Sequence, residues 1–224
     1  MATQGDPTNF EVLEHTKVRG AEKLGLMTSY AWRDDPKRLA FTLSRYKFVA
    51  RMLDGSAKVL EAGCGDGFGS RIVRQHVGSL MATDLDTDLI ESAKQSSCDD
   101  WPVRFRAHDM LAGSVVGEFD GVYCLDVLEH IPRTQEDRFI SNLITPLREF
   151  GVCIIGMPSL QSQPYASKYS KIGHINCKDQ PTTRALMKKY FHNVFMFSMN
   201  DEVVHTGYEA MSHYNIAVCS AKRT

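Results

Sequence analysis

A run of closely spaced glycines, Gly63-Cys64-Gly65-Asp66-Gly67, follows the apolar segment Lys58-Val59-Leu60-Glu61-Ala62 and opens onto a helical stretch from Ser70 to His76. Glycine lacks the Cβ that would hold a ligand away from the main chain, so a strand turning into a helix through such a loop lets the backbone approach a bound molecule closely. Seventeen residues after Gly67, Asp84 stands at the end of the next apolar segment, where its carboxylate could accept both hydroxyl hydrogens of a ribose. Each feature alone has an ordinary explanation, a tight turn for the loop and a helix cap for the aspartate. Together they fit a ribose-bearing ligand better than either does separately. The dinucleotide fingerprint G-x-G-x-x-G is not met, because Phe68 or Ser70 occupies the place of its third glycine, depending on whether the count starts at Gly63 or Gly65.

These residues need a scaffold, and the hydrophobic pattern supplies one. Leu39, Leu43, Tyr46, Val49, Ala50 and Leu53 recur at helical spacing after Pro36, and Asp54-Gly55 ends the run. Downstream, strand patterns at Ser79–Thr83, Val103–Ala107, Phe119–Leu125 and Val152–Gly156 alternate with helical ones at Leu89–Ser96 and Glu136–Leu147. Parallel strands need crossover connections, so this alternation predicts an α/β, doubly wound, mostly parallel sheet covered on both faces. The chain ends on a helix at Thr182–Tyr190 and two strands, Val194–Met199 and Tyr214–Ser220, joined without a helix. That predicts a seven-stranded sheet with one antiparallel C-terminal strand. A single domain is expected: residues 1–35 as an N-terminal extension or cap with one helix, 36–158 as the cofactor-binding core, and 159–224 as a substrate-facing segment plus the final strands. The polar run 159–180, with Tyr165, Tyr169, Lys171, His174 and Lys178, is longer than an ordinary connection and reads as a lid or recognition segment.

Four stretches taken together resemble the class I (Rossmann-like) S-adenosylmethionine-dependent methyltransferase family. They are Val59-Leu60-Glu61-Ala62-Gly63-Cys64-Gly65, Ala82-Thr83-Asp84, His108-Asp109-Met110, and Phe119 through Asp126-Val127-Leu128-Glu129-His130-Ile131. The resemblance is closest to the small-molecule branch that includes the ubiquinone-pathway O-methyltransferases, and covers roughly residues 45–198. It implies that Gly63, Cys64 and Gly65 accommodate the methionine portion of S-adenosylmethionine, with Glu61 supporting the loop. Asp84 would take the ribose, Leu85 would pack on the adenine, and Asp109 would accept from the adenine amino group beside the Met110 amide. Leu125 would offer its carbonyl to the cofactor's ammonium. Arg45, on the helix before the first strand, would reach the cofactor carboxylate; its ordinary alternative is a solvated helix arginine.

The sulfonium of that cofactor is already activated, which leaves the protein to align a nucleophile with the methyl group and exclude water. A hydroxyl acceptor would also lose a proton, and histidine suits that task at neutral pH. His130 and His174 are the candidate bases, since both follow strand carboxyl ends, and His174 is preferred; each is otherwise a loop histidine. His205 and His213 are weaker candidates. In the ubiquinone branch the Glu-His element has been associated with divalent metal, but no resident metal is expected here. Tyr30 and Trp32 could close the pocket over the cofactor or acceptor, but such aromatics are more often packing elements. The expected activity is methyl transfer to a small-molecule acceptor, preferably at oxygen because the Asn-Pro-Pro-Tyr and Asp-Pro-Pro-Tyr signatures are absent; a nitrogen acceptor and a catalytically idle cofactor-binding subunit are the alternatives.

Bulk properties narrow the partners. With 43% hydrophobic and 24% charged residues among 224, the chain has the composition of an ordinary globular protein. A formal net charge of -1 supplies no global field for nucleic acid, so none is expected as a partner. Neither a bilayer-length apolar run nor a leader pattern over Met1–Pro7 is present, which makes the cytoplasm the expected location. The six cysteines are scattered without a C-x-x-C pair and read as reduced core thiols. Oligomeric state is left open.

Overall fold

The computed structural model describes Asp6 and residues 9–223. The opening run read above for a leader pattern therefore lies outside the described residues, apart from Asp6. Along the chain come α1 (Phe10–Arg19), α2 (Leu26–Asp34), α3 (Lys37–Met52), β1 (Lys58–Ala62), α4 (Ser70–Arg74), β2 (Ser79–Asp84), α5 (Thr87–Gln95), β3 (Arg104–Ala107) and β4 (Phe119–Leu125). They are followed by α6 (Glu136–Ile144), β5 (Leu147–Pro158), α7 (Lys168–Gly173), α8 (Gln180–Met187), β6 (Phe191–Asn200), β7 (Val203–His205) and β8 (Tyr214–Lys222).

The strands form one sheet in the order β3-β2-β1-β4-β5-β8-β6-β7. Strands β1 to β5 pair in parallel, whereas β8 lies antiparallel between β5 and β6. The chain builds outward from β1 through β2 to β3, then returns to the other side of β1 with β4. That reversal opens a crevice beyond the carboxyl ends of β1 and β4, where open α/β sheets bind their ligands.

Neighbouring residues on the central strands feed opposite faces of the sheet, as a period of two requires. Leu60, Val122, Ile155 and Ala217 pack with Phe139, Ile140 and Leu143 of α6 on one face. Val59, Tyr123, Ile154 and Ile216 pack with Val49 and Leu53 at the end of α3 on the other. Both layers are dry, which fixes the strand ends that carry the polar residues described below.

The structure departs from the sequence expectation in three places. The N-terminal extension holds two helices, not one, and α1 buries no residue at all, so its apolar pattern left little mark. The sheet gains an eighth strand among the described residues, the short β7, which pairs antiparallel with β6. Its hairpin turns through Asp201 at φ 49, a left-handed aspartate where a glycine would have announced the turn. Finally, the long polar run is ordered: Ser159 and Ser167 cap a 3₁₀ turn at Leu160–Tyr165 and helix α7 by accepting from Ser162 N and Ser170 N. Five cysteines are buried, Cys98 is half-buried, and all six are free thiols. No described helix is long and apolar enough to cross a membrane.

Candidate active site

The glycine loop leaves β1 in conformations that suit glycine. Gly63 and Gly65 have φ of 80 and 56, in the left-handed region, and a Cβ on Gly63 would lie 2.1 Å from Val127 Cγ2. The loop is tied to β2 by Gly63 N and Cys64 N, which both donate to Thr83 O, at 2.7 and 3.0 Å. Gly65 N donates to Asp84 Oδ2 at 2.8 Å, and Asp86 N donates to Oδ1 at 2.9 Å. The cap of α5 is Asp86, whose side chain accepts from Asp88 N and Leu89 N. Asp84 is thereby released from the capping role, and each of its oxygens keeps acceptor capacity.

Glu61 lies under the loop, fully buried, with Ser70 Oγ donating to it at 2.5 Å. Burial outweighs that hydrogen bond and pushes its carboxyl up to about 7. At the β3 end, Asp109 Oδ1 accepts from Leu111 N at 2.7 Å, the local turn that an ordinary loop aspartate makes, and the residue also lines the cavity. Met110 inserts its side chain into the core and its carbonyl accepts from Asn142 Nδ2 at 2.6 Å. Leu85 is exposed at the cavity rim, and Leu125 lines the cavity at the end of β4.

Directly after Leu125, Asp126 adopts φ 57 and accepts from Arg45 Nη1 at 2.9 and 2.8 Å. Arg45 is not the solvated helix arginine of the ordinary expectation. Its guanidinium lies 3.8 Å over the Tyr214 ring, its Nε is buried without a partner, and the carboxylate of Asp126 helps hold its pKa high against burial. The next turn, Leu128–His130, brings Glu129, whose carboxyl is buried with neither oxygen hydrogen-bonded. Burial and the neighbouring Asp126 drive its pKa well above the ordinary carboxylate value.

The two predicted histidines meet here, their rings edge to face with centroids 5.2 Å apart. His130 Nδ1 lies 2.9 Å from Gly173 O and His174 Nδ1 lies 3.0 Å from Gln163 Oε1. A carbonyl oxygen only accepts, so in the neutral rings both Nδ1 atoms carry the proton and both Nε2 atoms are basic. Burial, and then the neighbouring His130, lower the His174 pKa below the ordinary 6.5, against a smaller opposing effect of Asp126. Among the described residues, Glu129, His130 and His174 each offer a donor atom within 4.8 Å of the others, a set that fits a divalent cation.

The loop, the acids and the histidines line a single cavity of about 1180 Å³. Glu61 is the one predicted site residue that supports it from below without lining it. Helix α2 covers the glycine loop through a contact with Asp66 that no motif in the sequence announces. Asp66 accepts from Thr28 N at 2.8 Å and Thr28 Oγ1 at 3.1 Å, capping α2 from across the chain. Met27 and Tyr30 then face the cavity, while Trp32 is exposed outside its lining. His205 has both ring nitrogens engaged, by Asn200 Oδ1 and Gly207 N, and neither it nor His213 lines the cavity. Asp126 and Glu129 lie in a stretch that carries the family resemblance, but only the fold shows that they stand beside Arg45 and His174.

The strand order and the loop-acid geometry at the crevice are those of the class I methyltransferase fold. Residues 59–151 match the family model described as a methyltransferase domain. It is 30% identical over 118 residues to a ubiquinone biosynthesis O-methyltransferase of Xanthomonas axonopodis pv. citri (strain 306), covering 50% of this chain and 49% of that protein. A namesake from Psychrobacter arcticus is 25% identical over 140 residues, covering 60% and 53%. The chain thus spans about half the length of the curated relatives it matches. Among solved structures it is similar to the N-methyltransferase NodS from Bradyrhizobium japonicum WM9 in complex with S-adenosyl-l-homocysteine, with a TM-score of 0.62 and 18% identity, covering 95% of this chain and 98% of NodS.

Proposed function

We propose that the protein is a cytoplasmic enzyme that binds S-adenosylmethionine and transfers its methyl group to a hydroxyl of a small-molecule acceptor. One observation carries this: the glycine loop with Asp84 and the pair of imidazoles with basic Nε2 atoms line the same crevice. The cavity exceeds the roughly 300–1000 Å³ of ordinary small-ligand pockets, which leaves room for an acceptor beside a cofactor. In this assignment Gly63, Cys64 and Gly65 pass along the methionine portion, Asp84 accepts from the ribose, and Asp109 and the Met110 amide face the adenine between Leu85 and the sheet. Leu125 O and Arg45 meet the ammonium and carboxylate. His174 takes the acceptor proton, and α2 excludes water over the loop. The O-methyltransferase names of the relatives favour oxygen over nitrogen.

The converging donors support a second form of the same reaction, in which Glu129, His130 and His174 hold a divalent cation. Such an ion would lower the pKa of an acceptor hydroxyl. Purified protein incubated with S-adenosylmethionine and classes of phenols, sugars, amines and acids, with mass detection of methylated product, tests the proposal. An oxygen-methylated product with S-adenosylhomocysteine formed in equal amount is expected. Methylation at nitrogen alone would replace the acceptor assignment, and cofactor binding without product from any class would leave an idle binding subunit. Parallel reactions with chelator separate the cation form, which loses activity, from the base form, which keeps it.

A further inference from the structure

Gln163 lies half-buried in the helical turn after β5, within the polar run 159–180 but not among the residues named there, and its amide has a defined direction. Nε2 donates to Ser159 O at 3.1 Å. That oxygen can only accept, so the NH2 end must lie there and the oxygen end must face His174 Nδ1, at 3.0 Å. Ser159 is itself fixed: it is fully buried, its N donates to His213 O at 2.9 Å, and its Oγ donates to Ser212 O at 2.5 Å. A backbone carbonyl anchored between β5 and β8 thus dictates, through one side-chain amide, which nitrogen of His174 bears the proton.

We propose that Gln163 is the positioning residue of the reaction centre, holding His174 as the Nδ1–H tautomer so that Nε2 is its basic nitrogen. The role serves a base that takes a proton and a ligand that binds a cation equally, because both need the lone pair on Nε2. His130 gains the same setting from the carbonyl of Gly173, next to His174 in the chain. The two rings therefore owe their tautomers to one segment, residues 159–173. Only the kinetic consequence of the role rests on the methyl-transfer proposal; the tautomer itself does not.

Long-range proton–nitrogen correlation spectra of the full chain read the tautomer directly, with His174 assigned through His174→Gln. In the wild-type protein His174 is expected as a single Nδ1–H form. In Gln163→Leu it becomes a mixture of the two neutral tautomers, turnover falls about tenfold or more, and KM for S-adenosylmethionine stays within about twofold. A purely structural role would lower turnover without moving this tautomer signature. A single Nδ1–H tautomer persisting in folded Gln163→Leu overturns the proposal. Should Gln163→Leu fail to fold, Gln163→Ala is read in its place. If no form of the protein turns over any acceptor, methyl transfer fails while the spectra still decide the role of Gln163.

Discussion

The two halves of the cavity are built by different means. On the β1–β2 side the main chain forms the surface: left-handed glycines, carbonyl acceptors at Thr83 and a carboxylate at Asp84 that ties loop to strand end. On the β4–β5 side the surface is made of side chains, Asp126, Glu129, His130 and His174, with partners distant in sequence such as Arg45 for Asp126 and Gly173 for His130. A backbone-built surface recognises what is common to all reactions of a cofactor. A side-chain surface can be exchanged residue by residue, which is why the first half carries the resemblance to other methyltransferases and the second leaves the acceptor to experiment.

The largest expected effect tests the backbone-built half. Gly65→Val places a branched side chain at φ 56, with its Cβ 2.9 Å from Met27 Sδ. Calorimetric titration with S-adenosylhomocysteine should show no binding, with a much smaller change in thermal stability. Normal affinity in this variant would break the claim that the main chain itself is the binding surface.

Glu61 probes the support beneath that surface. Its folded pKa of about 7 is raised above the ordinary 4.5, so the folded state holds a proton that the unfolded chain releases. Stability is therefore full below about 4.5 and is lost as pH rises toward 7. Glu61→Gln, which cannot ionise, should gain on the wild type by about 3 kcal/mol across that window. Denaturant melts at pH 4.5 and 7.5 measure the gain; parallel curves would mean that folding does not raise the Glu61 pKa.

In the side-chain half, His174→Ala should lower turnover by about a hundredfold while cofactor affinity holds. The wild-type rate should fall on the acid side below the ordinary imidazole value of 6.5, since burial and His130 lower this pKa. Wild-type turnover and pH profile in His174→Ala would remove it as the base. The smallest effect belongs to Asp84→Ala, expected to weaken S-adenosylmethionine about tenfold or more, because two hydroxyl hydrogen bonds to a charged acceptor are lost. Equal losses of turnover and affinity in both variants would erase the distinction between the halves.

Legibility in the sequence follows the same division. The segment from β1 through α4 could be read residue by residue because glycines announce their backbone geometry and β1 alternates between two dry layers. Asp84 and the two histidines could be singled out because each lies at or beyond a strand's carboxyl end, and Asp109 through the resemblance; all four line the cavity. The pairing of Arg45 with Asp126 was not legible, since 81 residues separate them and nothing local requires it. Gln163 carried no signal, as its role depends on a carbonyl presented by β5. Asp66 was read as part of the loop, and its work on α2 appears only once the N-terminal extension is folded over it.

That last contact gives the protein a built-in reporter. The amide hydrogen of Thr28 is held by Asp66, a residue of the glycine loop, so it can trade places with solvent deuterium only when α2 lifts from the loop. A ligand trapped beneath Met27 and Tyr30 slows that lifting, and the exchange clock of one peptide hydrogen then counts how often the cavity opens.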